Sequence, residues 1–265
     1  MKALAAYRHH PMAYLALLAL ALVTMGAAYA VLAPRDAGAE VATAEDIAQG
    51  KNLFLANCAT CHGINGQGRV DGEGNTLGPS LIGVGAAAVD FQVGTGRMPM
   101  QMEGPQAQVK PPQFNDKQIS QLSAYVATLG PGPAIPDAKY TTPDGDAARG
   151  GELFRVNCAM CHNAAGAGGA LTHGKYAPPL LDVKGKHVYE AMQTGPQNMP
   201  VFSDDNMTPQ DKHDIITYLH TLKENGSPGG WSLGSLGPVT EGLYAWTIGL
   251  AMLLGCAFWL GAKSK

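Results

Sequence analysis

The 265 residues are enough for about two small domains, but 34 Gly and 18 Pro against only 6 Phe, 9 Tyr and 3 Trp leave few large core residues. Formal net charge is −3, unevenly spread. The stretch from Arg35 to Glu241 holds all 21 acidic residues with 14 basic ones, a balance of −7, while Lys2, Arg8, Lys263 and Lys265 make the ends positive. An acidic middle excludes nucleic acid as a partner.

In chain order, Met12 to Ala33 is an uncharged run of 22 residues between Pro11 and Pro34, long enough to span a bilayer as a helix. Its basic start and its Ala-x-Ala sequences at Ala28–Ala30 and Ala37–Ala39 equally fit a cleaved signal peptide. Residues 1–39 are thus a hydrophobic segment, anchor or signal, and either outcome exports the chain from about residue 40 onward.

The exported part repeats itself with an offset of 100 residues. Gly50, Leu53, Phe54, Asn57, Cys58, Ala59, Cys61 and His62 are matched by Gly150, Leu153, Phe154, Asn157, Cys158, Ala159, Cys161 and His162. Each copy opens with a short helical pattern ahead of its first cysteine and closes with an amphipathic helix. In the first closing helix Asn115 is the expected N-cap, Gln118 sits at the third position, and Ile119, Leu122, Val126 and Leu129 share a face. In the second, Thr208 caps, Pro209 starts the helix, and Ile215, Leu219 and Leu222 form the apolar face. Between opening and closing helices each copy reads as Gly/Pro loop. The units are expected at 40–130 and 146–225, joined by a semi-rigid Pro/Gly linker at 131–145.

Beyond them, 226–242 reads as a juxtamembrane loop and 243–262 (LYAWTIGLAMLLGCAFWLGA) as an uncharged transmembrane helix closed by Lys263 and Lys265. Positive flanks stay inside, so the C-terminus is expected in the cytoplasm and the acidic middle outside. Cys256 within this run is a small apolar residue.

The chemistry lies in Cys58-Ala-Thr-Cys61-His62 and Cys158-Ala-Met-Cys161-His162, the haem c attachment sequence. Two cysteines three apart at a helix start reach both vinyl groups of one porphyrin, and the adjacent histidine points its imidazole at the iron. A Cys₄ zinc site has no use for a histidine after each second cysteine, and a thioredoxin-like pair would need a βαβ pattern that is missing. Two covalently bound haem c groups would also fill the aromatic-poor cores. Met-Pro pairs in Gly/Pro-containing loops offer the sixth iron ligand: Met199 in the second unit, and Met98 or Met100 in the first, with Met98 favoured because it precedes a proline as Met199 does. His/Met ligation closes the iron and suits electron transfer. The carbonyls of Pro79, and of Pro178 or Pro179, are expected to accept from the second nitrogens of His62 and His162. His173, His187, His213 and His220 read as surface residues. No residue reads as a catalytic acid, base or nucleophile.

This order of helix, Cys-x-x-Cys-His, proline loop, Met-Pro and closing helix resembles the class I cytochrome c family over about 44–130 and 146–223. The whole, with PSLIGVGAAAVDFQVGTGRMPM, GGALTHGKYAPPL, MQTGPQNMPVFSD and the C-terminal GPVTEGLYAWTIGLAMLLGCAFWLG, resembles the dihaem cytochrome c subunits of actinobacterial respiratory bc complexes. The resemblance implies a mainly α fold with two tandem cytochrome c domains. It also implies a cytochrome b subunit, a Rieske iron–sulfur protein, a terminal cytochrome c oxidase and membrane lipid as partners. The role implied is an electron relay from the Rieske protein through both haems to the oxidase, in a quinol–cytochrome c reductase that translocates protons. The segment Gln101 to Phe114 departs from the pattern as a long insertion. The nearest rival is a dihaem subunit of another membrane oxidase or dehydrogenase. A dihaem peroxidase is disfavoured by the two Met-Pro pairs, and a haem sensor by the lack of an output domain.

Overall fold

The computed structural model describes residues 11–32, 42–102, 104–225, 233 and 238–262. An N-terminal unit, residues 1–39, contains helix α1 (Pro11–Leu32), and residues 40–265 form a second unit. The expected cleavage sequence at Ala37–Ala39 lies outside the described residues, as does most of the juxtamembrane stretch.

The second unit is built twice over. Its first half runs α2 (Ala44–Asn57), α3 (Ala59–His62), the short antiparallel pair β1 (Arg69–Val70) and β2 (Thr76–Gly78), α4 (Gly85–Gly94) and α5 (Asp116–Ala127). The second half repeats it with α6 (Ala147–Asn157), α7 (Ala159–His162), β3 (Gly169–Ala170) and β4 (Tyr176–Ala177), α8 (Gly185–Thr194) and α9 (Pro209–Asn225). Helix α10 (Pro238–Gly261) comes last.

Caps set the helix starts. Thr43 Oγ1 accepts from Asp46 N at 3.1 Å while the Asp46 carboxylate accepts from Thr43 N, a reciprocal box. Asn115 and Gln118 make the same exchange at α5, and Thr208 with Asp211 at α9. In each half the opening and closing helices cross at a glycine. A Cβ on Gly50 would overlap the Gln121 carbonyl, and one on Gly150 the Asp214 carbonyl, so only glycine permits this backbone approach. Beside each crossing a phenylalanine is sealed in, Phe54 against Tyr125 (centroids 5.2 Å apart) and Phe154 against Tyr218 (5.5 Å).

Each half therefore has its own core. Phe54, Val89, Val93, Ile119, Leu122 and Val126 build the first, and Phe154, Val188, Met192, Ile215, Ile216 and Leu219 the second. The linker divides between them. Its N-terminal part lies along the first half, where Ala87 N donates to Pro133 O (3.1 Å), and its C-terminal part along the second, where Tyr140 stacks on Tyr189.

Helices α4 and α8 correct the expectation of Gly/Pro loop between the opening and closing helices. Glycines bracket α4, but its interior (AAAVDFQV) contains none, and Thr95 closes it with a 2.6 Å bond to Phe91 O. In α8 Gly195, at φ 59°, supplies the left-handed C-terminal residue. These two helices pack on one another and join the halves. Phe91 meets the His187 ring edge-on (6.2 Å), and Lys186 Nζ lies 2.7 Å from Asp90 Oδ2. The insertion adds a strap: Gln106 accepts from Tyr176 N (2.8 Å) and donates to Tyr176 O (3.2 Å), and Ala107 N donates to Gln197 (3.3 Å).

Helix α10 starts five residues before the expected position. Its 24 residues rise about 36 Å, and it is long and apolar enough to cross a membrane. Its large side chains, among them Trp246, Phe258 and Trp259, are exposed in the chain alone.

Candidate functional site

Each Cys-x-x-Cys-His sequence occupies one helical turn at the end of an opening helix. Cys58 N donates to Phe54 O and Cys158 N to Phe154 O, both at 2.8 Å, so each motif hangs from its buried phenylalanine. The next residue, Gly63 or Asn163, adopts φ of 80° or 66° and turns the chain away. The chain then folds back: Gly68 N donates to His62 O and Gly168 N to His162 O, at 2.7 and 2.9 Å. Gly78 passes so close to the Cys61 backbone that an added Cβ would sit 2.6 Å from its carbonyl oxygen.

That return brings the proline carbonyls to the imidazoles. His62 Nδ1 lies 2.8 Å from Pro79 O and His162 Nδ1 3.0 Å from Pro178 O. A carbonyl can only accept, so Nδ1 carries the proton and Nε2 of each ring is left with its lone pair for a metal. Burial holds the His162 imidazole below the usual pKa, which keeps it neutral as a ligand must be. None of the four cysteines of the two motifs is in a disulfide, and burial pushes Cys58 and Cys158 up to about 11. The first thiol of a reactive redox dithiol is shifted the other way, downward. Two cysteines three apart, not joined in a disulfide, beside an imidazole whose Nδ1 is committed to a carbonyl, fit a covalently attached haem in each half.

The methionines separate in the way the sequence left open. Met98 packs against the first core and Met199 against the second, whereas Met100 is 44% and Met102 79% exposed. Arg97, beside Met98, is buried with its guanidinium 4.7 Å over the Phe91 ring. Each of these methionines comes after the helix that joins the halves, α4 for Met98 and α8 for Met199.

Two histidines overturn the surface reading. His187 is buried in the joint with Nδ1 2.9 Å from Glu190 Oε2, and His213 is buried with Nε2 2.7 Å from Asp144 Oδ1. Both were read from polar flanking sequence; His187 is covered by the first half across the joint, and His213 by the linker end at Tyr140 and Asp144. His173 and His220 are exposed, as expected.

The Cytochrome c family profile matches residues 47–130, and that of cytochrome c oxidase, cbb3-type, subunit III matches residues 145–219. A protein of Corynebacterium efficiens named cytochrome bc1 complex cytochrome c subunit is 48% identical over 246 residues, covering 85% of this chain and 81% of its own. Proteins of the same name from Corynebacterium diphtheriae (46%, covering 85% and 86%) and Mycobacterium tuberculosis (46% over 259 residues, covering 94% and 90%) are also similar to this chain. The chain belongs to the family of cytochrome bc1 complex cytochrome c subunits. In this family's terms the two halves are cytochrome c domains, the second bearing a profile shared with an oxidase subunit, and the fold is mainly helical with an apolar helix at each end.

Proposed function

We propose that the chain is the electron-transfer subunit of a respiratory bc complex, passing electrons from a Rieske iron–sulfur protein through two c-type haems to a terminal oxidase. In this reading Cys58 and Cys61 hold the first haem and Cys158 and Cys161 the second. His62 with Met98 and His162 with Met199 ligate the irons. When bound, each haem supplies a one-electron iron couple. The chain's own contribution is to fix the imidazoles through Pro79 and Pro178 and to cover the irons with core-packed methionines. A further contribution is to hold the two domains in one joint, so that no mobile carrier is needed between them. The complex as a whole is the quinol-oxidising, proton-translocating enzyme, and this subunit brings no acid–base or nucleophilic group. Helix α10 anchors it, with the haem domains on the extracytoplasmic face and the C-terminus inside.

The observation that carries this reading is the duplicated Cys-x-x-Cys-His with each Nδ1 committed to a proline carbonyl, in a chain 46–48% identical to subunits of that name. The oxidase-subunit profile on the second half favours one alternative, a dihaem subunit of another membrane oxidase. Mild-detergent purification on a C-terminal tag, with identification of every co-purifying protein, separates them. Cytochrome b and a Rieske protein together with oxidase subunits are expected; an oxidase without cytochrome b would overturn the assignment and leave the alternative.

A further inference from the structure

The joint between α4 and α8 buries three side chains that electron transfer does not use. Asp90 is 4%, His187 6% and Glu190 0% exposed. His187 Nδ1 lies 2.9 Å from Glu190 Oε2 and 3.8 Å from Asp90 Oδ2, and one donor atom from each residue falls within 4.8 Å of the others. Glu190 Oε1 is fully buried with no hydrogen-bond partner among the described residues. The two carboxylates occupy the same position in the two copies, 100 residues apart, and meet across the joint.

Burying two carboxylates together is costly unless a cation or a proton intervenes. Lys186 Nζ, 2.7 Å from Asp90 Oδ2, answers one of them from a side chain that is 41% exposed and free to swing outward. The second is left to a proton: burial, then the charge of Asp90 and a hydrogen bond to it, raise Glu190 to about 10, while burial lowers His187 to about 4. Two facing carboxylates that share a proton beside an imidazole form a ligand set in which a cation can replace that proton. The other charges acting on His187 are Lys184 on the α8 side and Arg97 after α4, both positive.

We propose that Asp90, His187 and Glu190 form a binding site for one divalent first-row metal ion, best matched by zinc, that staples the two cytochrome domains together. Imidazole nitrogen and carboxylate oxygen are both zinc donors, and a water in the place Lys186 vacates would complete four-coordination. Metal–ligand bonds of about 2.0–2.2 Å in a tetrahedron put donor atoms about 3.4 Å apart, and the 2.9 and 3.8 Å separations bracket that value. Calcium and magnesium need about six or more oxygens, which an enclosed pair of carboxylates does not provide. Charge also balances: two carboxylates and a neutral imidazole cancel the ion, the Glu190 proton leaves to solvent, and Lys186 withdraws from Asp90. The Phe91 ring and the bare backbone at Gly94, where a Cβ would meet His187 Cε1 at 2.9 Å, hold the imidazole in place.

The test uses the haem-loaded full chain in detergent, stripped with chelator, dialysed against micromolar zinc and washed, with zinc and iron counted by elemental mass spectrometry. Expected is one retained zinc per two irons. Its zinc-edge absorption spectrum should show one imidazole and oxygen ligands but no sulfur. Glu190→Gln and Asp90→Asn, near-isosteric and scored only if haem spectra and circular dichroism are unchanged, should each weaken zinc retention by tenfold or more. His220→Ala, at an exposed histidine on α9, should retain zinc fully. Absence of retained zinc in the unaltered chain overturns the proposal, as does equal retention in Glu190→Gln and Asp90→Asn. Should both variants misfold, sulfur ligation or a second histidine in the unaltered protein's zinc-edge spectrum overturns it equally.

Discussion

Gly150→Ala tests the helix crossing that sets the second core. The alanine methyl would overlap the Asp214 carbonyl, and even the third-nearest atom, Ile215 N, would lie 2.9 Å away. Ordinary contact begins near 3.4 Å, so α6 and α9 must separate by more than about 0.5 Å, and more than that at the carbonyl. The obstructing atoms are backbone, which cannot rotate aside, and Phe154 beside them is completely buried. Overpacking of this kind costs about 1–3 kcal/mol, and the rigid neighbours place this case at the upper end. With a guanidinium slope of about 3 kcal/mol per molar for a domain of this size, the unfolding midpoint should fall by about 1 M. Unfolding of the haem-loaded chain followed by circular dichroism and by haem absorbance reads it. Gly72→Ala is the control, because an added Cβ there meets nothing within 4 Å, and it should be neutral or stabilising by about 0.4–1 kcal/mol. A Gly150→Ala chain as stable as the control would refute this account of the crossing.

Removing the α5 cap by Asn115→Ala should cost about 0.5–2 kcal/mol in the same titration, since one donor at the helix start loses its acceptor. Met98→Leu should lower the redox potential of one haem while leaving the other unchanged, and Met100→Leu should change neither; potentiometric titration that finds the reverse would move the ligand to Met100. In chelator, stability should fall as pH rises from about 6.5 toward 10. Over that range the native state keeps the Glu190 proton that the unfolded chain has released, giving a slope of at most about 1.4 kcal/mol per pH unit. Between about 4 and 6.5 the His187 shift acts oppositely, because there the unfolded chain takes up the proton. Melting curves against pH should therefore flatten above 6.5 in Glu190→Gln.

The two Cys-x-x-Cys-His turns were legible because they are local: five residues in sequence carry both thiols and the imidazole, and the offset of 100 marks the second copy. The caps at Asn115 and Thr208 were legible for the same reason. The joint was not. Glycines flanking AAAVDFQV signalled a loop, and helix α4 acquires its meaning only when α8 covers it. His187 and Glu190 sit in a sequence (GKHVYEAMQT) whose polarity reads as surface, and their burial depends on Asp90, 97 residues from His187. The insertion at Gln101–Phe114, read as a departure from the pattern, carries Gln106 and Ala107 across to the second half.

The strap exists in one copy only. Duplication alone would produce halves that could exchange places, but Gln106 reaches Tyr176 with no counterpart reaching back among the described residues. A joint strapped from one side holds the halves in the one arrangement described, so electrons in the proposed relay would pass between them at a fixed separation rather than after a diffusive search. Its rate should be insensitive to solvent viscosity and to protein concentration. In the proposed relay the two halves form a wire with two unlike ends.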